Sequence, residues 1–121
     1  MNPVPLPWRR LGGLLAGLAV MSGAFGAHAL AGNPRLDVWK TAALYHLVHA
    51  IALLLPGLPT LTRRLHLAGL LVFSGSLYLL VLTDTPWLGA ITPIGGLCLI
   101  GGWLAAAVQR DRAGLTGGPP V

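Results

Sequence analysis

Charge is what this sequence has least of. Only 9% of its 121 residues are Asp, Glu, Lys or Arg, and three of those are acidic. A typical soluble domain carries roughly 25% charged residues, so this chain cannot cover a water-facing surface. Paired carboxylates are missing, as are a phosphate-binding loop and any nucleophile–base set. The three aspartates read as helix-end caps. The single cysteine, Cys98, sits in an apolar run. It excludes an internal disulfide and reads as a small buried hydrophobe. Nothing resembles a groove-reading motif. The eight basic residues fall between apolar runs, with no aromatics interleaved, so the net charge of +5 does not indicate nucleic acid. Anionic lipid headgroups account for these charges more simply.

Apolar residues are abundant. They make up 55% of the chain, and the mean hydropathy is +0.74. A bilayer core about 30 Å thick needs roughly 20 apolar residues per helix. The stretches between charges supply four, which predicts helices over about 9–31, 35–56, 63–83 and 86–109. In lipid each backbone N–H and C=O must be paired within its own segment, so the spans are helices. The expected fold is an all-α membrane protein, a four-transmembrane-helix bundle in one domain over 1–110. Residues 111–121 read as a disordered cytoplasmic tail. Asn33-Pro34 and Asp84-Thr85-Pro86 have the form of helix starts. Pro56 and Pro59 should stop the second helix near Leu55. Pro93, inside the fourth span, predicts a kink.

Orientation follows the loop arginines and lysines. Arg9, Arg10, Arg63, Arg64, Arg110 and Arg112 share one side, and Arg35 and Lys40 the other. This puts both termini in the cytoplasm, for a multi-pass protein of the plasma (inner) membrane. Trp39 and Trp87 then mark the outer interface and Trp8 the inner one. A rival reading takes Arg9-Arg10, the apolar stretch and Ala27-His28-Ala29 as a cleavable signal peptide. The run is long for that, and three spans would put Arg110 opposite the amino terminus.

A shift of 52 residues lays Leu15-Ala16-Gly17-Leu18 on Leu67-Ala68-Gly69-Leu70, Ser22-Gly23 on Ser74-Gly75, and Pro34 on Pro86. The echo fits two parallel helical-hairpin repeats, or coincidence in a Leu/Ala/Gly-rich alphabet. Helices in lipid associate through close backbone approach. Candidate packing positions are Gly13, Gly17, Gly23 and Gly26 in the first helix. In the fourth they are Gly95, Gly96, Gly101 and Gly102. Such ridges suit packing within the chain, in a homo-oligomer, or in a larger membrane complex.

The second helix carries the polar residues of most interest. Tyr45, His46 and His49 are neighbours at helical spacing. From a start near Asp37, His49 lies roughly 18 Å deep at 1.5 Å per residue. Ionisable groups at such depth usually face a bundle interior. With His28, Asp84 and Thr92 they form a candidate polar cluster. It would serve a proton relay, a metal site, or a quinone or haem contact; alternatively the histidines are neutral and bond helix to helix. The spacing matches no metal signature, so no metal ligand and no cofactor is assigned. His66, beside Arg63 and Arg64, reads as interfacial with no special role.

Four segments carry a resemblance. Gly23-Ala24-Phe25-Gly26-Ala27-His28-Ala29-Leu30 and the run from Trp39 to Ala50, with His46 and His49, are two. Ser74-Gly75-Ser76-Leu77-Tyr78 and the run from Ile91 through Trp103-Leu104 are the others. In this order they resemble the YgdD-like family of small inner-membrane proteins, a domain of unknown function. The resemblance implies four spans and a retained first helix, and it implies no activity. The expectation is a non-enzymatic accessory or scaffold component. The alternatives are a small transporter or proton-linked carrier using His46, His49 and Tyr45, and a metal- or haem-binding redox accessory.

Overall fold

In the computed structural model, which describes residues 3–110, the chain forms four α-helices. They are α1 (Leu6–His28), α2 (Leu36–Ala52), α3 (Thr60–Thr83) and α4 (Thr92–Ala107). A short 3₁₀ turn, Pro86–Ala90, precedes α4. The 111–121 segment read above as a disordered tail lies outside the described residues. Three helical segments are long and apolar enough to cross a membrane: Leu6–His28, Thr60–Thr83 and Pro86–Ala107.

Helix ends explain where the expected boundaries moved. Pro7 occupies the first turn of α1, where its missing N–H costs nothing. Between α1 and α2, Gly32 adopts φ 88°, and the Asn33 side chain accepts a hydrogen bond from the Arg35 backbone at 2.8 Å. Asn33 therefore shapes the turn, and α2 starts at Leu36. α2 is shorter than expected, with 17 residues. Leu53 still donates four residues back to His49, and Leu54 and Leu55 follow in a tighter turn, donating three residues back to Ile51 and Ala52. Pro93 does not kink a continuous helix. It sits in the first turn of α4, so the helix restarts there after the 3₁₀ segment. Asp84 is likewise a C-cap of α3 instead of an N-cap. It takes the left-handed conformation (φ 50°, ψ 50°), which Asp tolerates better than most residues.

Each helix packs antiparallel to its chain neighbour, giving the spatial order α1–α2–α3–α4. The beginning of α2 lies on the end of α1, where the Trp39 indole donates to the Ser22 carbonyl at 2.8 Å. Ala42 and Ser74 join α2 to α3, the Ser74 hydroxyl donating to the Ala42 carbonyl at 2.8 Å. Ser76 and Thr92 meet at 2.6 Å between α3 and α4. α3 is the central element, with ten buried positions against four on α1. Leu15, Ala50, Leu53, Leu70 and Leu99 form one apolar cluster drawn from all four helices. Trp39, Ala42, Leu77, Leu80 and Val81 form a second, nearer the other end.

The α3–α4 crossing explains part of the glycine content. A Cβ on Gly95 would strike the Phe73 backbone and come 2.9 Å from the Gly69 carbonyl. A Cβ on Gly69 would lie 2.6 Å from Leu99 Cδ2. Only backbones without side chains can approach this closely. Gly13, Gly17 and Gly23 face open space, so they serve no packing within the chain.

Candidate functional site

The six polar residues grouped from sequence do not form one cluster; among them only Tyr45 and His49 touch, with ring centroids 6.1 Å apart. His28 is exposed at the last position of α1. Asp84 is exposed and accepts from Arg35 Nε at 2.8 Å, an ion pair joining the α1–α2 loop to the end of α3. Thr92 pairs with Ser76. Tyr45 is 40% exposed and lays its ring against Phe73, with centroids 4.7 Å apart. His46 turns toward α3 and bonds the Tyr78 hydroxyl through Nδ1 at 2.8 Å. His49 joins a different set.

That set is the most concentrated group of polar aromatic side chains in the bundle. His49 Nδ1 lies 2.8 Å from the Tyr45 carbonyl. A carbonyl only accepts, so Nδ1 carries the proton. His49 Nε2 is then a lone pair, and it accepts from the Trp103 indole N–H at 3.0 Å. Both ring nitrogens of His49 are satisfied in the neutral form. His66 completes the set, its centroid 4.9 Å from His49 and 4.4 Å from Trp103. The His66 side chain is fully buried, and neither ring nitrogen has a hydrogen-bond partner. His66 is therefore an interior residue where the sequence suggested an interfacial one. The missing side chain of Gly102 leaves room for its ring, because a Cβ there would be 2.7 Å from His66 Nε2. Thr62 supports the same crossing by donating to the Gly102 carbonyl at 2.8 Å.

Arg63 is the second departure from the sequence reading. Its side chain is buried, although loop counting treated it as a surface charge. The guanidinium donates to the carbonyls of Leu58 at 2.7 Å and Leu55 at 2.6 Å, with a longer contact of 3.5 Å to Leu53. These carbonyls lie in the irregular chain after α2. A planar fork of donors is suited to gathering acceptors that no helix pairs.

Trp39, in the first turn of α2, turns its indole into the bundle. It is 5% exposed, packed on Tyr78 with centroids 4.5 Å apart and on Phe25 at 5.4 Å. Gly26 makes room for it, since a Cβ there would be 2.5 Å from the indole. Gly96 and Gly101 stand at ordinary contact distance from Phe73 and Leu65. Gly12, not singled out from sequence, carries the α1–α2 approach, 2.7 Å from Leu54 by the same measure.

A signal for the missed residues exists. Thr62, His66, Gly69, Phe73 and Ser76 recur at spacings of four and three along α3. This is the small-and-polar stripe of a packing face. Thr92, Gly95, Leu99 and Gly102 do the same on α4. Among the described residues, no group of three or more His, Cys, Asp or Glu is placed to hold a metal ion.

Comparison with known proteins agrees with the membrane character of the chain. A UPF0382 membrane protein of Staphylococcus aureus (strain bovine RF122 / ET3-1) is 46% identical over 113 residues, covering 84% of this chain and 93% of that protein. The UPF0382 membrane protein YwdK of Bacillus subtilis (strain 168) is 43% identical over 115 residues, covering 84% of this chain and 94% of its own. No solved structure matches. Residues 22–96, which include His46, His49, His66 and Tyr78, match the family described as "Protein of unknown function (DUF423)". The chain thus belongs to the DUF423 family, and its relatives carry the name UPF0382 membrane proteins.

Proposed function

We propose that this protein is a four-span bundle of the plasma (inner) membrane and acts as a non-enzymatic accessory or scaffold component. The observation that carries the reading is that His46, His49 and Thr92 each enter a separate helix-to-helix contact. His46 bonds Tyr78 and His49 bonds Trp103, while Thr92 bonds Ser76. Each contact joins two helices, as expected of groups that fix packing in lipid. His46 and His49 are 7% and 5% exposed, which withdraws support from a carrier with both lining an open path.

Four spans are supported by the antiparallel order. α2 lies between α1 and α3, both long enough to cross, and packs along each. With its terminal turns it runs from Leu36 to Leu55, about 30 Å at 1.5 Å per residue. Retention of α1 is supported by its contribution of Gly12, Leu15, Ala19 and Gly26 to the buried interior.

Photo-crosslinking in native membranes tests the role. Probes belong at exposed apolar positions on the two outer helices, such as Leu14 and Leu97, which are 63% and 69% exposed. A scaffold gives discrete adducts with a second copy or another membrane protein. Lipid adducts alone, with a strictly monomeric purified protein, would end the scaffold reading.

A further inference from the structure

The two ends of the bundle differ in charge. One end gathers the start of α1, the α2–α3 connection and the end of α4. Among the described residues it holds Arg9, Arg10, Arg63, Arg64 and Arg110 and no carboxylate. Asp111 and Arg112 follow and cancel formally. The opposite end holds Arg35 and Lys40 against Asp37 and Asp84, with Arg35 and Asp84 paired at 2.8 Å. That end is neutral, and the arginine end is not.

Arg9, Arg10, Arg64 and Arg110 are exposed, whereas Arg63 is turned inward to backbone carbonyls. One to two turns further in from these arginines, the bundle exposes large apolar side chains: Leu14 at 63%, Leu71 at 54% and Leu104 at 61%. Cationic donors at the end of the bundle, with exposed aliphatic surface one to two turns further into it, match a molecule with an anionic head and a hydrocarbon tail. A free phosphate or an RNA strand would use the arginines and leave the aliphatic surface without a partner. Clustered cations at a helix–membrane boundary attract anionic lipid, by roughly fivefold in population for each charge near the surface.

We propose that the arginine end is a binding surface for anionic phospholipid headgroups, with Arg9, Arg10, Arg64 and Arg110 as donors to the phosphate and Leu14, Leu71 and Leu104 against the acyl chains. The proposal rests on the membrane-embedded reading above and can fail while the bundle still spans.

Native mass spectrometry of the full chain, released from mixed micelles with equal phosphatidylglycerol and phosphatidylcholine, tests it. The expected result is at least about tenfold enrichment of retained phosphatidylglycerol. The variant Arg9→Gln/Arg10→Gln/Arg64→Gln/Arg110→Gln should bring the ratio close to one. The same four positions changed to Lys should keep most of it, and Arg35→Gln/Lys40→Gln should leave it unchanged. Equal retention of the two lipids by the unaltered chain overturns the proposal, as does equal loss in the Arg35/Lys40 variant. Displacement of the lipid by inorganic phosphate at millimolar concentration overturns it too, because the surface would then be a plain anion site. A circular-dichroism melt of each variant separates lost preference from lost fold. If the glutamine variant fails to fold, the lysine variant and the unaltered chain still decide the outcome.

Discussion

At the scale of single residues, Arg63 is the most demanding position. A buried guanidinium without a carboxylate partner is costly unless its donors are used. Here the carbonyls of Leu55 and Leu58 use them, with Leu53 at the longer distance. Arg63→Met keeps the aliphatic bulk and leaves those carbonyls without a donor. Thermal unfolding in detergent should show a loss of about 2–4 kcal/mol. Arg63→Lys should recover only part of this, since one ammonium cannot span acceptors spread from Leu53 to Leu58. Arg64→Met, one position along and exposed, should change stability by no more than about 0.5 kcal/mol. Equal effects at the two positions would contradict the assigned role of Arg63. The sequence shows an Arg-Arg pair and no more. Which of the two turns inward depends on helical phase and on carbonyls freed by Pro56, Gly57 and Pro59, and loop charge counting contains neither.

At the scale of helices, the informative contrast is between glycines that admit a neighbour and glycines that face open space. Gly95→Ala places a methyl into the Phe73 backbone, which cannot swing aside as a side chain would. Overpacking of this kind costs about 1–3 kcal/mol, and the melting temperature should fall accordingly. Gly17→Ala meets nothing within 4 Å. It should be neutral or stabilising by up to about 1 kcal/mol, the helix-propensity gain of Ala over Gly. A destabilised Gly17→Ala monomer would show that the intrachain contacts given for α1 are wrong. Helix identity was legible because scarce charges bracket each apolar run and prolines punctuate them. The facing was less legible. Gly13, Gly17 and Gly102 look alike as letters, yet only Gly102 lies opposite a ring. The sequence echo shares this limit. α1 buries one narrow stripe while α3 is packed on both sides, so matching letters occupy unlike surroundings.

At the scale of the whole molecule, the proposed topology makes a direct prediction. Single cysteines introduced at Arg64 and Arg110, with Cys98→Ala as background, should react with a membrane-impermeant thiol reagent only after the membrane is opened. Cysteines at Lys40 and Trp87 should react in intact cells. Trp87 suits the purpose because it is 67% exposed. Opposite behaviour at Arg64 and Arg110 would be incompatible with four spans. The candidate cluster was legible in composition but not in arrangement. The depth of His46 and His49 along α2 points to an interior place, and they are 7% and 5% exposed, whereas Tyr45 on the same predicted face is 40% exposed. Their partners Tyr78 and Trp103 come from other helices, and His66 was discounted for its place beside two arginines. Distant pairings of this kind are set by how antiparallel helices register, which spacing within one helix does not encode.

The inward turn of Arg63 also has a consequence in time. The carbonyls it gathers precede it by five to ten residues, so α2 emerges from the ribosome before its terminator has been made. Until the first turn of α3 follows, the chain from Leu53 to Leu58 has open acceptors and no reason to enter hydrocarbon. The second and third helices should therefore partition into the bilayer as one hairpin. In a nascent chain arrested with Arg63 still inside the exit tunnel, a cysteine at Val48 of α2 should react with a membrane-impermeant thiol reagent, and in one arrested after α3 it should not.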